Sequence, residues 1–254
     1  MASLAGAVRR ARRLADRVRS RLNPVSQMDL KAVNVRYVAS VKNRMPHNEA
    51  MELAIGGGFQ QIGAIEVALL RHYGLPRDGD LIDVGCGSGR LAKPLSAWLR
   101  GRYLGIDLVP ALVAHARKIV ARADWRFQVI RHIGIPEADG VADMVCFFSV
   151  LTHLTHEQSY CYLEEARRVL KPGGRVVFSF LEFREPAHRK IFLDTVEATK
   201  RKVEFPMNTF VDRDAIACWA AGLGLDMVEI RDAADEIVAE GCLGQSICVL
   251  QKAV

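Results

Sequence analysis

The sequence predicts an α/β fold in which a parallel β-sheet is covered on both faces by helices. From residue 80 onward, short apolar segments of strand length alternate with amphipathic helical segments. The composition, 50% hydrophobic and 25% charged over 254 residues, is that of an ordinary globular protein and excludes disordered and low-complexity classes. The length allows one large domain or two small ones.

The basic charge of the chain is concentrated at its N-terminus. Residues 1–22 hold seven arginines and one acid, which leaves 28 basic and 28 acidic residues in the rest of the chain. A body without net charge argues against a dedicated nucleic-acid-binding domain. Apolar residues recur every three or four positions in this segment and predict an amphipathic helix that ends at Asn23-Pro24.

Three interpretations of residues 1–22 stay open. The segment is a packed or solvated helix, an amphipathic anchor to anionic lipid, or a mitochondrial presequence. The last interpretation fits the many arginines and the single acid, but the segment has only Ser3 and Ser20.

The chain is predicted to have three parts: a basic helix over 1–24, a helical N-terminal extension over 25–79, and the α/β domain over 80–254. The extension is interrupted at Met45-Pro46 and at Gly56–Gly58. Strands are predicted at 80–84, 102–107, 125–130, 143–148, 174–181, 225–230 and 245–251. Helices are predicted near 90–100, 110–122, 156–170 and 212–222, and a polar excursion over 183–211 is expected to contain another.

Cysteine usage and hydropathy place the chain in the cytoplasm. No apolar run approaches the ~20 residues that cross a bilayer, and the N-terminus has no apolar core of a secretory signal. Six cysteines show no paired spacing, so we expect reduced, mostly buried thiols and neither disulfides nor a metal site.

The most informative segment is the run from Leu81 to Arg90, Leu-Ile-Asp-Val-Gly-Cys-Gly-Ser-Gly-Arg. An apolar strand leads directly into three alternating glycines, and a helix follows. Glycine permits the tight turn and lets the backbone approach a ligand closely. We call residues Gly85–Gly89 the glycine loop. A nicotinamide enzyme would have its third glycine one residue later, at the position that Arg90 occupies.

Two further features support a nucleotide site. The second strand ends at Asp107, where a carboxylate can accept both hydroxyls of a ribose. Further along, Leu-Lys-Pro-Gly-Gly-Arg at 170–175 is predicted to turn a helix into the apolar strand that begins at Val176.

With these motifs in order, residues 80–181 resemble the class I S-adenosylmethionine-dependent methyltransferases, in their small-molecule branch. The resemblance implies a Rossmann-like, seven-stranded, mostly parallel sheet with an antiparallel last strand. It implies S-adenosylmethionine as the cofactor and no metal. The implied cofactor-binding residues are Asp83, Gly85, Cys86, Gly87, Gly89, Asp107, Leu108 and Ser149.

The resemblance assigns roles within this set. Asp83 would anchor the amino group of the cofactor, Asp107 its ribose hydroxyls, and Leu108 its adenine. Many relatives also have an acid after the third strand that accepts a hydrogen bond from the adenine. Here the chain reads Ile130-Arg131-His132 instead, so that contact is lost or is made by the backbone.

His153 is the candidate catalytic residue. It follows the fourth strand, at the sheet edge where ligands bind, and an imidazole titrates near working pH. The alternative is a histidine that only hydrogen-bonds the following helix. His188 is a weaker candidate base, and His156 is predicted at the start of a helix capped by Thr155.

The sequence resembles bacterial methyltransferases that act on the sugars of surface glycans or on related metabolites, so a small-molecule or glycan acceptor is expected. Natural products, quinone precursors and lipids remain open as acceptors. Residues 1–22 would then contact an anionic membrane from the cytoplasmic side. The alternative function is a non-catalytic S-adenosylmethionine-binding module, and the oligomeric state is not predicted.

Overall fold

The structure is a computed structural model that describes residues 46–56, 58–202 and 207–254. The predicted basic helix over 1–24 and the first part of the helical extension lie outside the described residues.

The described residues form seven helices of four or more residues. Their bounds are α1 (His47–Leu53), α2 (Phe59–His72), α3 (Ala92–Leu95), α4 (Pro110–Val120), α5 (His156–Val169), α6 (Pro186–Lys200) and α7 (Arg213–Leu223). A single 3₁₀ turn, Leu151–His153, precedes α5. Thr155 caps α5 as predicted: its hydroxyl accepts the N–H of Gln158 at 3.2 Å, and the Gln158 side chain accepts the N–H of Thr155 at 2.9 Å.

Seven strands form the sheet. They are β1 (Leu81–Val84), β2 (Tyr103–Asp107), β3 (Arg126–Val129), β4 (Ala142–Phe147), β5 (Leu170–Phe180), β6 (Leu225–Arg231) and β7 (Ser246–Lys252). Their order is β3-β2-β1-β4-β5-β7-β6, and β7 runs antiparallel to both of its neighbours. This arrangement confirms the predicted α/β fold with an antiparallel last strand.

Alternate residues of the central strands face two apolar layers, which explains why these strands are largely apolar, whereas the edge strands β3 and β6 carry charged, exposed residues. On β1, Leu81 packs in the layer that contains Ile65 and Leu69 of α2, while Ile82 packs in the layer that contains Leu163 of α5. Helix α2, which lies within the predicted extension, therefore belongs to the same core as the sheet.

Two predicted elements differ from the structure. The helix expected near 90–100 is regular only over Ala92–Leu95, and it includes Pro94, which has no N–H to donate to the preceding turn. Strand β5 begins at Leu170, four residues before the predicted start. Leu170 pairs with Ala142, and a register shift then brings Arg175 opposite Met144, so the predicted turn is an irregular part of the strand.

The cysteines are only partly as predicted. All six are free, but Cys161, Cys218 and Cys242 are exposed, so half and not most of them are buried. Within the described ranges, no helix combines the length and the apolar character that crossing a bilayer requires.

Candidate active site

A cavity of about 440 Å³ opens at the carboxyl ends of β1, β2 and β4. This is the edge where open parallel sheets bind their ligands, and the volume suits a small-molecule site. Eight of the nine predicted site residues line the cavity: Asp83, Gly85, Cys86, Gly87, Asp107, Leu108, Ser149 and His153.

The glycine loop has the backbone conformation that its glycines permit. Gly85 and Gly87 have φ of 77° and 52°, a region that residues with a Cβ rarely adopt. A Cβ on Gly85 would lie 2.3 Å from Cγ2 of Val150. Gly89, the predicted site residue that does not line the cavity, instead lets the loop pack on α4, since its Cβ would lie 3.1 Å from Cα of Ala116.

Asp107 ties the end of β2 to the glycine loop. Its Oδ2 accepts the N–H of Gly87 at 3.0 Å, and its Oδ1 accepts the N–H of Val109 at 2.8 Å. Burial raises the pKa of Asp107, and these backbone donors oppose the rise. The N–H of Leu108 is a third backbone donor to this carboxylate. A carboxylate offers about four acceptor positions, so Asp107 keeps acceptor capacity for a donor from the cavity.

Asp83 lies fully buried beneath the loop. The hydroxyl of Tyr103 donates to its Oδ2 at 2.6 Å. Burial raises the pKa of Asp83 to about 7, although the Tyr103 hydrogen bond opposes the rise, and the nearby carboxylate of Glu66 raises it further. A cationic group in the cavity would favour the charged form of this acid.

Sequence reasoning missed a buried ion pair, Glu66 with Arg90, at the same end of the cavity. Arg90 donates to Oε1 of Glu66 at 2.6 and 3.0 Å and to the carbonyl of Ile55 at 3.0 Å. Burial raises the pKa of Glu66, and Arg90 opposes that rise. One sequence feature could have indicated this pair: Glu66 is a charged residue directly beside Ile65 in the apolar stripe of a predicted helix.

Another part of the cavity lining is apolar. It is formed by Leu108, Val109, Leu112, Ile130 and Tyr162. Arg131 and His132, which stand where many relatives have an acid, are exposed. Among the described residues, the acids that line the cavity are Glu66, Asp83 and Asp107.

Ser149 lines the cavity two residues after the end of β4. Its φ of 57° is unusual for a residue with a side chain. The conformation is held by a chain of hydrogen bonds: the N–H of Ser149 donates to Oγ of Ser179 at 2.7 Å, and that hydroxyl donates to Oε1 of Gln245 at 2.6 Å. Gln245 itself lines the cavity.

His153 lines the cavity as well, and its tautomer follows from one contact. Nδ1 lies 2.8 Å from the carbonyl oxygen of Met207. Because a carbonyl oxygen only accepts, Nδ1 carries the proton, and the neutral ring has its free lone pair on Nε2. That nitrogen is chemically able to take a proton from a substrate.

The other candidate histidines lie outside the cavity lining. His188 is fully buried, with Nδ1 accepting the N–H of Glu182 at 3.0 Å and Nε2 lying 3.2 Å from the carbonyl of Gly244. Both of its nitrogens are therefore engaged by backbone. His156 contacts the carbonyl of Phe210 at 3.0 Å.

Comparisons with known proteins agree on this region. Residues 81–174 match the family described as methyltransferase domain. A protein of Mycolicibacterium smegmatis named a probable S-adenosylmethionine-dependent methyltransferase is 36% identical over 95 residues, which are 37% of this chain and 35% of the relative. The malonyl-[acyl-carrier protein] O-methyltransferase of Hahella chejuensis is 31% identical over 128 residues, 50% of this chain and 44% of the relative.

A solved structure supports the fold. Magnesium protoporphyrin IX methyltransferase of Synechocystis PCC 6803, with S-adenosylhomocysteine bound, superposes with a TM-score of 0.59 at 15% identity and covers 88% of this chain and 100% of its own. The chain spans roughly a third to a half of the two curated relatives. Residues 81–174 are thus a class I S-adenosylmethionine-dependent methyltransferase domain, whose cofactor is S-adenosylmethionine.

Proposed function

We propose that this protein transfers a methyl group from S-adenosylmethionine to a hydroxyl of a small-molecule or glycan acceptor. The observation that carries the proposal is the junction of the glycine loop with Asp107, which presents a half-buried carboxylate with remaining acceptor capacity to a cavity of suitable size. When bound, the cofactor supplies an activated methyl group on a sulfonium.

The residues present fit that cofactor. The acidic end of the cavity, at Asp83 and Glu66, suits its ammonium group, and the apolar wall at Leu108 suits its adenine. Arg90 is the cation at the end where the carboxylate of the cofactor would lie. The proposed cofactor residues are those of the predicted set, with Gly89 supporting the loop from behind.

His153 is the proposed general base. Its Nε2 would take the proton of the acceptor hydroxyl, so that the oxygen could accept the methyl group that the cofactor would supply. The Met207 carbonyl holds the ring in the tautomer that this role requires. Ser149 and Gln245 would border the acceptor.

The proposed class of acceptor is inferred from the names of similar proteins. The named relatives act on a malonyl-acyl-carrier protein and, for the solved structure, on magnesium protoporphyrin IX. These names favour a small molecule, and a lipid-linked glycan would agree with a membrane role for residues 1–22. Deleting 1–22 would then weaken binding to anionic vesicles and leave cofactor affinity unchanged.

Two experiments test the proposal, a calorimetric binding measurement and a methyl-transfer assay. Titration with S-adenosylhomocysteine should show one saturable site, and labelled methyl groups should then move to an acceptor from a panel of quinone precursors, fatty acyl thioesters and sugars. Binding without any transfer would favour the alternative, a non-catalytic binding module, which the exposed Arg131 and His132 also suit. Absence of binding would overturn both functions.

A further inference from the structure

Helix α6 is weakly packed in the described part of the chain. Of its fifteen residues only His188, in the first turn, is buried. Phe192 and Leu193 are 39% and 49% exposed, although the segment is long and amphipathic. Helices of globular proteins normally bury their apolar face, so this one presents a face that another phase or molecule is expected to cover.

The exposed face continues beyond the helix as a cluster of aromatic rings. Phe183, itself 52% exposed, stacks on Phe210 with ring centroids 4.5 Å apart, and Phe192 meets Phe183 edge-on at 5.3 Å. We call Phe183, Phe192, Leu193 and Phe210 the aromatic patch.

The charges around the aromatic patch are mostly positive. Residues 183–202 contain six Lys or Arg and three acids, one of which, Glu185, is buried. Two of the basic residues pair with acids on the same helix, Lys190 with Asp194 and Lys200 with Glu197. The others are exposed and have no acidic partner within 4 Å among the described residues: Arg184, Arg189, Arg201 and Lys202.

The aromatic patch is connected to the candidate active site through a short segment. Phe210 follows Met207 by three residues, and the carbonyl of Met207 holds His153 in the cavity. The N–H of Thr209 also donates to the carbonyl of Thr152 at 2.8 Å. The aromatic patch therefore lies beside the acceptor side of the cavity.

We propose that the aromatic patch is a membrane-contact surface that inserts into an anionic lipid bilayer and holds the acceptor side of the cavity at that surface. Exposed aromatic side chains flanked by unpaired basic residues are the combination that such interfaces select. The consequence for the acceptor rests on the proposed methyl transfer, whereas the lipid contact itself does not. This surface is separate from residues 1–22.

Vesicle binding of the full chain tests the proposal. Phe192→Ser/Leu193→Ser should weaken partition onto phosphatidylglycerol vesicles at least about ten-fold, since two apolar side chains lose their burial. The matched control is Met227→Ser/Val228→Ser, which removes two exposed apolar side chains from strand β6 and should change partition less than about two-fold. Neutral phosphatidylcholine vesicles should bind all three proteins weakly.

Fluorescence quenching at single positions distinguishes lipid contact by the aromatic patch from lipid contact by residues 1–22. Tryptophan introduced as Leu193→Trp should be quenched by brominated lipids, whereas Val228→Trp should not. Equal partition of the variants with no quenching would overturn the proposal. So would a wild-type dimer that Phe192→Ser/Leu193→Ser dissociates, because a second copy would then cover the face.

Affinity for S-adenosylhomocysteine, measured on the same proteins, keeps the two proposals apart. All variants should bind it like wild type, which also shows that they fold. Loss of this affinity in every protein, wild type included, would contradict the proposed function and leave the lipid contact standing.

Discussion

At the glycine loop, three separate elements are fixed together: β1 through its glycines, β2 through Asp107, and α2 through Glu66 and Arg90. At α6, by contrast, only one of fifteen residues is buried, and the other contacts of the helix are made by partly buried or exposed side chains. The first region is fixed by buried and backbone contacts, as a site that must hold one ligand in one geometry requires. The second region is weakly packed and presents exposed apolar side chains, so it is free to meet a surface or molecule outside the described residues.

Of the changes that test this comparison, a side chain added to the glycine loop should have the largest effect, on cofactor affinity. Gly87→Val places a β-branched residue at φ 52°, and even its Cβ would lie 2.9 Å from Cγ2 of Ile55. We expect cofactor affinity to fall by more than about 100-fold, as measured by calorimetry with S-adenosylhomocysteine.

Gly140→Val is its matched control. Gly140 also has positive φ, at 66°, but nothing lies within 4 Å of its Cβ position. It therefore carries the backbone strain without the crowding at the cavity. If both variants bind equally, the loop is only a turn.

His153→Ala should act on the chemical step and spare the cofactor. We expect the methyl-transfer rate to fall roughly 100-fold, because a general base is removed, with affinity for S-adenosylhomocysteine nearly unchanged. His156→Ala is the control, since His156 also holds the 207–211 segment, by contacting the Phe210 carbonyl. A His153→Ala rate within a few-fold of wild type would make His153 structural.

Asp107→Ala should weaken binding of S-adenosylhomocysteine at least about ten-fold, because hydrogen bonds to a charged group contribute roughly 1.5–3 kcal/mol each. Asp226→Ala, at an exposed position on β6, should bind like wild type. Equal affinities for the two variants would refute the assignment of the ribose to Asp107.

The pH dependence of the free energy of unfolding should reveal the raised pKa of Asp83 in the native state. Its pKa rises on folding from 3.8 to about 7, so between these values the native state holds a proton that the unfolded state has lost. The stabilisation is complete below the lower value and is lost as pH rises through about 7. Relative to Asp83→Asn, the free energy of unfolding should fall by at most about 1.4 kcal/mol per pH unit over this range. Urea unfolding of both proteins from pH 5 to 8 measures the difference, and parallel curves would exclude a buried, protonated Asp83.

The sequence predicts features with a local signal and misses those that depend on tertiary packing. The glycine loop and Asp107 were predicted because their signal is local: a strand, a turn that requires glycine, and an acid at a strand end. The Glu66–Arg90 pair was missed because its partners are 24 residues apart and only the packing of α2 on the sheet brings them together.

The same limit applies to His153 and α6. The position of His153 at the sheet edge was predicted, but the Met207 carbonyl that sets its tautomer lies 54 residues away. A helix within 183–211 was expected, whereas its lack of packing is a tertiary property that no periodicity reports. The early start of β5 depends on its register with Ala142, which is equally invisible in sequence.

A crystal structure of the full chain with S-adenosylhomocysteine tests the central claim most directly. We expect the ribose hydroxyls on the Asp107 carboxylate, the adenine against Leu108, and the amino group at the end of the cavity that holds Asp83 and Glu66. Ligand bound outside this cavity, or with its ribose away from Asp107, would contradict the claim.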